Sequence, residues 1–151
     1  MTERSSAVPE PGTPTYRTIT VARAPHGVLH ARNVRGGQLV VGHGDDEGFS
    51  PSELLLVALG SCTAADVDAL TSRRAEPRSF EVQVEADKVR DDEGNRLTNL
   101  TVTFRVEFSE GAEGDAARAI LPESVKRSHE RLCTVGRTVE VGTPIVTRIE
   151  S

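Results

Sequence analysis

Cys62 and Cys133 are the two cysteines of this 151-residue chain, and they are the side chains with the widest chemical reach. A thiol attacks or ligates only as the thiolate, so a working cysteine needs a pKa below its ordinary value of about 8.5. Cys62 sits in "PSELLLVALGSCTAADV", well past the residues that would open a helix there. The field of a helix N-terminus fades within the first turn, so a reactive Cys62 requires a cation. Arg23, Arg32, Arg35 and Arg137 are the candidates. Asp66, one helical turn after Cys62, opposes ionisation if it faces the same side. The alternative reading is a small buried residue packed beside Gly60 and Ser61. Cys133 follows His129 by one turn in "SHERLC". That pair reads as thiol and base, as two metal ligands, or as a surface histidine beside a core cysteine. A zinc site would need further donors from His26, His30, His43 and Cys62, none at a standard spacing. No metal and no cofactor are expected.

The elements that must hold these thiols follow from the pattern of the chain. Residues 1–14 are rich in Pro, Ser, Glu and Gly and read as a flexible tail; residues 15–151 read as a single domain. "TYRTITVARAPHGVLHARNVRGGQLVVG" predicts short strands separated by turns at "PHG" and "RGG". "SPSE" then carries a helix start, with Ser50 as N-cap, Pro51 in the first helical position and Glu53 closing a capping box. The helix should run to about Ser72. Its first half is apolar all round, which predicts burial on every side. "SFEVQVEADKV" and "LTNLTVTFRVEF" alternate with period two and predict an antiparallel hairpin with one wet face. A second helical region, "GDAARAILPESVKRSHERL", takes Asp115 as its N-cap and Pro122 as a kink or restart, and brings Cys133 to its end. "TVEVGTPIVTRIES" is expected to be a final strand or pair. The fold class is α+β.

Composition excludes several functions. The net charge of -5 provides no clustered basic face for nucleic acid. The longest apolar run, Leu54 to Gly60, is too short to cross a bilayer, and no membrane partner is expected. The N-terminus has no apolar stretch of a secretory signal. A cytoplasmic location follows, where a permanent structural disulfide is disfavoured.

"GFSPSELLLVALGSCTAADV" and "ERLCTVGRTVEV" resemble the two cysteine motifs of the osmotically inducible protein C / organic hydroperoxide resistance superfamily, OsmC/Ohr. The order of elements resembles that family across about residues 16–150. This resemblance implies an intertwined homodimer, in which antiparallel sheets wrap two central helices and paired sites lie at the subunit interface. It further implies a thiol-dependent peroxidase. Cys62 would attack an organic hydroperoxide, Cys133 would resolve the sulfenic acid as a disulfide, and a dithiol reductant would reopen it. In the peroxidase branches a glutamate ten residues before the first cysteine orients an arginine. Here that position is Ser52, with Glu53 one place on, and the motif looks more like the less characterised OsmC-like branch. On this likeness Glu53 is the acid nearest the expected position, and Arg23 or Arg35 the activating cation. The competing reading is a dimer that binds a small apolar ligand or senses redox state without efficient peroxidase activity.

Overall fold

The computed structural model describes residues 8–150; part of the expected tail, residues 1–7, lies outside them. The described residues form two compact units, residues 8–53 with 143–150, and residues 54–142.

The first unit holds a three-stranded antiparallel sheet in the order β1 (Ile19–Arg23), β2 (Leu29–Asn33), β3 (Gln38–Val41). Both turns are where the sequence places them. At "PHG" the backbone is left-handed at His26 and Gly27, with φ of 64° and 78°, and Ala24 N–H bonds Val28 C=O at 2.7 Å. At "RGG" the Asn33 side chain accepts from the amides of Arg35 and Gly37, a side-chain mimic of a turn. Much of this sheet is apolar and uncovered in the single chain. Ile19 and Val40 are exposed on it, as are Ile145 and Ile149 of the C-terminal segment.

Helix α1 spans Pro51–Thr71, and the predicted capping box is formed in full. Ser50 Oγ accepts from Glu53 N–H at 3.3 Å, while Ser50 N–H and Oγ–H donate to Glu53 Oε1 at 3.1 and 2.7 Å. These two bonds from Ser50 hold the Glu53 carboxyl below its ordinary pKa.

The second unit packs the rest of α1 on a hairpin of β4 (Pro77–Asp91) and β5 (Gly94–Phe108). Phe80, Val82 and Val84 pair with Val106, Phe104 and Val102, so the alternating apolar residues share one face. A bulge interrupts the register between Glu85↔Thr101 and Asp87↔Thr98. Its extra residue on β5 lets Asn99 adopt a φ of 54° and donate to Asp87 Oδ2 at 2.8 Å. Helix α1 approaches this sheet through Gly60: a Cβ there would stand 2.8 Å from Val84 Cγ2. The buried residues of α1 form a single stripe, Leu59, Gly60, Thr63, Val67 and Thr71.

The all-round burial expected of α1 is therefore corrected for the single chain. Leu55 and Val57 are 39% and 45% exposed, because one sheet covers one side only. The expectation from the short apolar run is corrected as well: Ala, Gly, Cys and Thr extend the apolar character of α1, and the whole helix is long and apolar enough by composition to cross a membrane. One side of it packs on the hairpin through Gly60, and it carries two carboxylates beyond its first turn, Asp66 and Asp68.

Helix α2 (Ala112–Arg127) is capped by Gly111 rather than by Asp115. Asp115 lies inside the first turn, where it pairs with Arg118, and Arg118 in turn donates to Phe108 C=O at 2.9 Å. Pro122 stays within the helix. A π turn, Ser128–Leu132, follows. The final strand expected over "TVEVGTPIVTRIES" is also corrected: its "TVEV" closes helix α3, Thr134–Val141, and residues 142–150 form no strand. The alternation in "TVEV" suits a strand, but the Cys133 side chain caps a helix at Gly136 N–H, and Val135 and Val139 lie one turn apart. Gly142, with φ of 72°, ends it.

Gly60→Ala is expected to lower stability by about 1 kcal/mol, because overpacking against Val84 outweighs the gain in helix propensity. Combining it with Val84→Ala should cost less than the sum of the two single changes. Urea unfolding of the four variants measures the coupling; additivity would remove the close approach from the account.

Candidate thiol site

The site is built where α1 meets the π turn and the start of α3. Cys62 and Asp66 lie four residues apart on α1 and share a face. Cys133 is the N-cap of α3. The two Sγ atoms and an Asp66 carboxylate oxygen all lie within 4.8 Å of one another. Both thiols are free; Cys62 is half-buried and Cys133 is buried.

A chain of hydroxyls fixes this arrangement. Ser128 Oγ donates to Asp66 Oδ2 at 2.9 Å. Its single hydrogen is then engaged, so Thr63 must be the donor in the 2.8 Å contact between the Thr63 and Ser128 hydroxyls. Ser128 also accepts the Cys133 N–H on its carbonyl at 2.9 Å. The π turn thus brings one residue's side chain to Asp66 and its backbone to Cys133.

Opposing influences act on Cys133. Burial is the largest and raises its pKa; the Gly136 N–H, 3.3 Å from Sγ, lowers it; Cys62 and Asp66 raise it further. The balance lies above the ordinary thiol value. No cation is among these influences.

Cys133 lines a cavity of about 350 Å³, and Cys62 is not among its lining residues. Leu59, Leu100, Val102, Phe104, Val125 and Val139 make its apolar wall, and Thr63, His129, Cys133 and Glu140 supply polar groups. The β5 bulge turns both Leu100 and the adjacent Thr101 to the wall. His129 does not engage Cys133; its Nε2 lies 3.2 Å from Glu140 Oε1, and both side chains are largely exposed.

Three other residues singled out in the sequence belong to the first unit. Glu53 is in the capping box of α1, Arg23 ends β1, and Arg35 lies in the turn between β2 and β3. The structure brings together Cys62, Cys133 and Asp66. Sequence reasoning missed Thr63 and Ser128. Thr63 carries a signal in hindsight, since it falls on the buried stripe of α1, whereas Ser128 depends on a π turn that no local motif announces.

Because the Cys133 pKa is raised on folding, the folded chain holds that proton more tightly than the unfolded chain. The resulting stabilisation is complete below the unfolded thiol pKa of about 8.5 and is lost as pH rises through the higher folded value. Wild type should therefore lose its stability advantage over Cys133→Ser as pH is raised from neutrality past 9, in paired urea titrations. Asp66→Asn should shift the Cys133 pKa downward and speed its alkylation at fixed pH. A slower or unchanged reaction would contradict the assigned influence of Asp66.

Comparisons with known proteins agree with this architecture. The family model described as OsmC-like protein matches residues 43–148. An uncharacterized protein of Mycobacterium tuberculosis is 31% identical over 115 residues, covering 76% of this chain and 82% of the relative. An OsmC-like protein of unknown function from Vibrio cholerae superposes with a TM-score of 0.67 at 15% identity, over 83% of this chain and 94% of that one. The organic hydroperoxide resistance protein OhrB of Bacillus subtilis superposes with a TM-score of 0.51 at 15% identity, over 82% and 90% of the two chains. With two antiparallel sheets, a capped helix carrying the first thiol and a second thiol brought beside it, this chain belongs to the OsmC-like protein family.

Proposed function

We propose that the protein is a cytoplasmic, homodimeric thiol peroxidase that reduces organic hydroperoxides. The observation that carries this reading is the pair of free thiols within 4.8 Å of each other, of which Cys133 lines a mainly apolar cavity of about 350 Å³. A general redox role agrees with hydroperoxide-resistance proteins among the structural relatives.

Cys62 is the more accessible thiol and takes the attacking role. Its thiolate bonds to the distal peroxide oxygen, the O–O bond breaks, and the alcohol leaves after taking a proton. Cys62 is then a sulfenic acid. The sulfur of Cys133 attacks Cys62 Sγ, an S–S bond forms, and the hydroxyl leaves as water with the Cys133 proton. A dithiol reductant restores both thiols by exchange and is itself oxidised to a disulfide. The apolar wall favours the organic part of the hydroperoxide, since burial of apolar area contributes about 25 cal/mol per Å².

Activation of Cys62 calls for a cation, and Arg23 or Arg35 of either subunit is the proposed source, with Glu53 available to orient it. A second subunit would also cover Leu55 and Val57 of α1, which the single chain leaves exposed. Such a cover removes α1 from solvent and accounts for its apolar character without a membrane.

A second reading has its own support. The carboxylate of Asp66 stands beside the thiols, and burial raises the Cys133 pKa. Both favour a Cys133 that keeps its proton, in a dimer that binds a small apolar ligand or senses redox state.

Cys62→Ser should reduce consumption of cumene hydroperoxide at least a hundredfold. Cys133→Ser should retain about one turnover and accumulate a sulfenic acid that dimedone traps at Cys62. Unchanged turnover in Cys62→Ser, or a wild type inert to the peroxide, would favour the second reading. Sedimentation at micromolar concentration should give a dimer; a folded monomer would overturn the proposed assembly.

A further inference from the structure

The side chains that bring the thiols together are also a donor set for a metal ion. We propose that Cys62, Asp66 and Cys133 bind a thiophilic divalent cation, zinc being the test case, when both cysteines are reduced. This goes beyond the peroxidase reading and does not depend on it, because it rests on the donor atoms and their supports.

Zinc takes thiolate sulfur at about 2.3 Å and carboxylate oxygen at about 2.0–2.2 Å in a tetrahedron, which sets donor atoms about 3.5–3.8 Å apart. Here the three donor atoms already lie within 4.8 Å of one another. Closing the site asks for a contraction of at most about 1.3 Å between any pair, within reach of small side-chain rotations. Cys62 and Asp66 are four residues apart on α1, a spacing that aims both side chains at one point. Cys133 approaches from the start of α3.

The supports of these ligands are in place as well. Ser128 Oγ donates to Asp66 Oδ2 at 2.9 Å, which fixes the carboxylate and leaves its other oxygen for a cation. Thr63 holds Ser128 at 2.8 Å. The Gly136 amide lies 3.3 Å from Cys133 Sγ and would stabilise a bound thiolate. Such hydrogen bonds to ligating groups orient them and tune affinity. Asp66 also gains a purpose: a carboxylate beside two sulfurs opposes thiolate formation, but it complements a divalent charge. Two thiolates and one carboxylate give a net charge of about −1 with the cation bound, and the fourth position is left for water or an exogenous ligand. Binding displaces one proton from each thiol to solvent, so the step needs no oxidant or reductant. A zinc-bound pair is not free to form a disulfide, so the cation would hold the dithiol in its reduced state.

The test uses the full chain, reduced and freed of metal with a chelator. Zinc is titrated against a chromophoric chelator, and Co²⁺ serves as a spectroscopic substitute. One equivalent per chain is expected, with sulfur-to-cobalt charge-transfer absorption and visible bands of a tetrahedral site. Zinc should slow alkylation of both cysteines at least tenfold. Asp66→Asn should weaken binding tenfold to a hundredfold, and Ser128→Ala about tenfold. Circular dichroism checks that each variant is folded; wild type with both thiols alkylated is a control that requires no substitution and must not bind. Absence of zinc binding, half an equivalent per chain, undiminished binding to folded Asp66→Asn, or binding to the alkylated protein would overturn the site. Peroxide consumption measured in metal-free buffer is a separate readout. Its failure would defeat the proposed peroxidase while leaving the zinc titration to stand or fall alone.

Discussion

The geometry of the thiol site depends on the hydrogen-bonded chain from Thr63 through Ser128 to Asp66. Thr63 and Ser128 are both buried, and a buried hydroxyl without a partner costs about 1–3 kcal/mol. Each therefore constrains the other strongly. Ser128 belongs to the π turn, and its carbonyl receives the Cys133 amide. One residue thus ties the carboxylate of α1 to the backbone that carries the second cysteine. An ordinary α-helical continuation of α2 would rotate Ser128 and Cys133 relative to one another, which is why the wider turn matters; π turns inside helices often mark functional positions.

The chemistry that this frame allows is set by opposition. Cys133 takes the Gly136 N–H at the start of α3, the location where a thiolate is best stabilised. Burial and Asp66 act against that, and the result is a thiol that keeps its proton more firmly than usual. Such a residue is suited to wait, protonated, until a neighbour has been oxidised. Cys62, half-buried on α1, is the neighbour proposed to be oxidised first. The cavity that Cys133 lines is walled by both the helices and the bulged strand β5.

Much of the fold was legible in the sequence. The capping box at Ser50 and Glu53, the turns at "PHG" and "RGG", and the period-two alternation of β4 and β5 are local signals, and each is found where it was expected. The failures have a physical pattern. "TVEV", read as the start of a final strand, instead closes helix α3, because a nonlocal contact decides its state: Cys133 is placed by Ser128 and then caps the helix. Asp115 has the right residue type for an N-cap, but its position inside the first turn follows from the glycine at 111. The exposed apolar face of α1 reflects what a single chain can cover. At the site, the two cysteines and the one-turn spacing of Asp66 were legible; Ser128 was not, because its role exists only through a turn of uncommon geometry.

The central claim is that Cys62 and Cys133 of one chain act as a redox pair. Mass spectrometry of the reduced, metal-free chain after one equivalent of cumene hydroperoxide tests it most directly. The account predicts a loss of mass equal to two hydrogen atoms, an unchanged chain count under non-reducing conditions, and a cross-linked peptide joining Cys62 to Cys133. Two thiols that remain free, or a disulfide that joins separate chains, would contradict it.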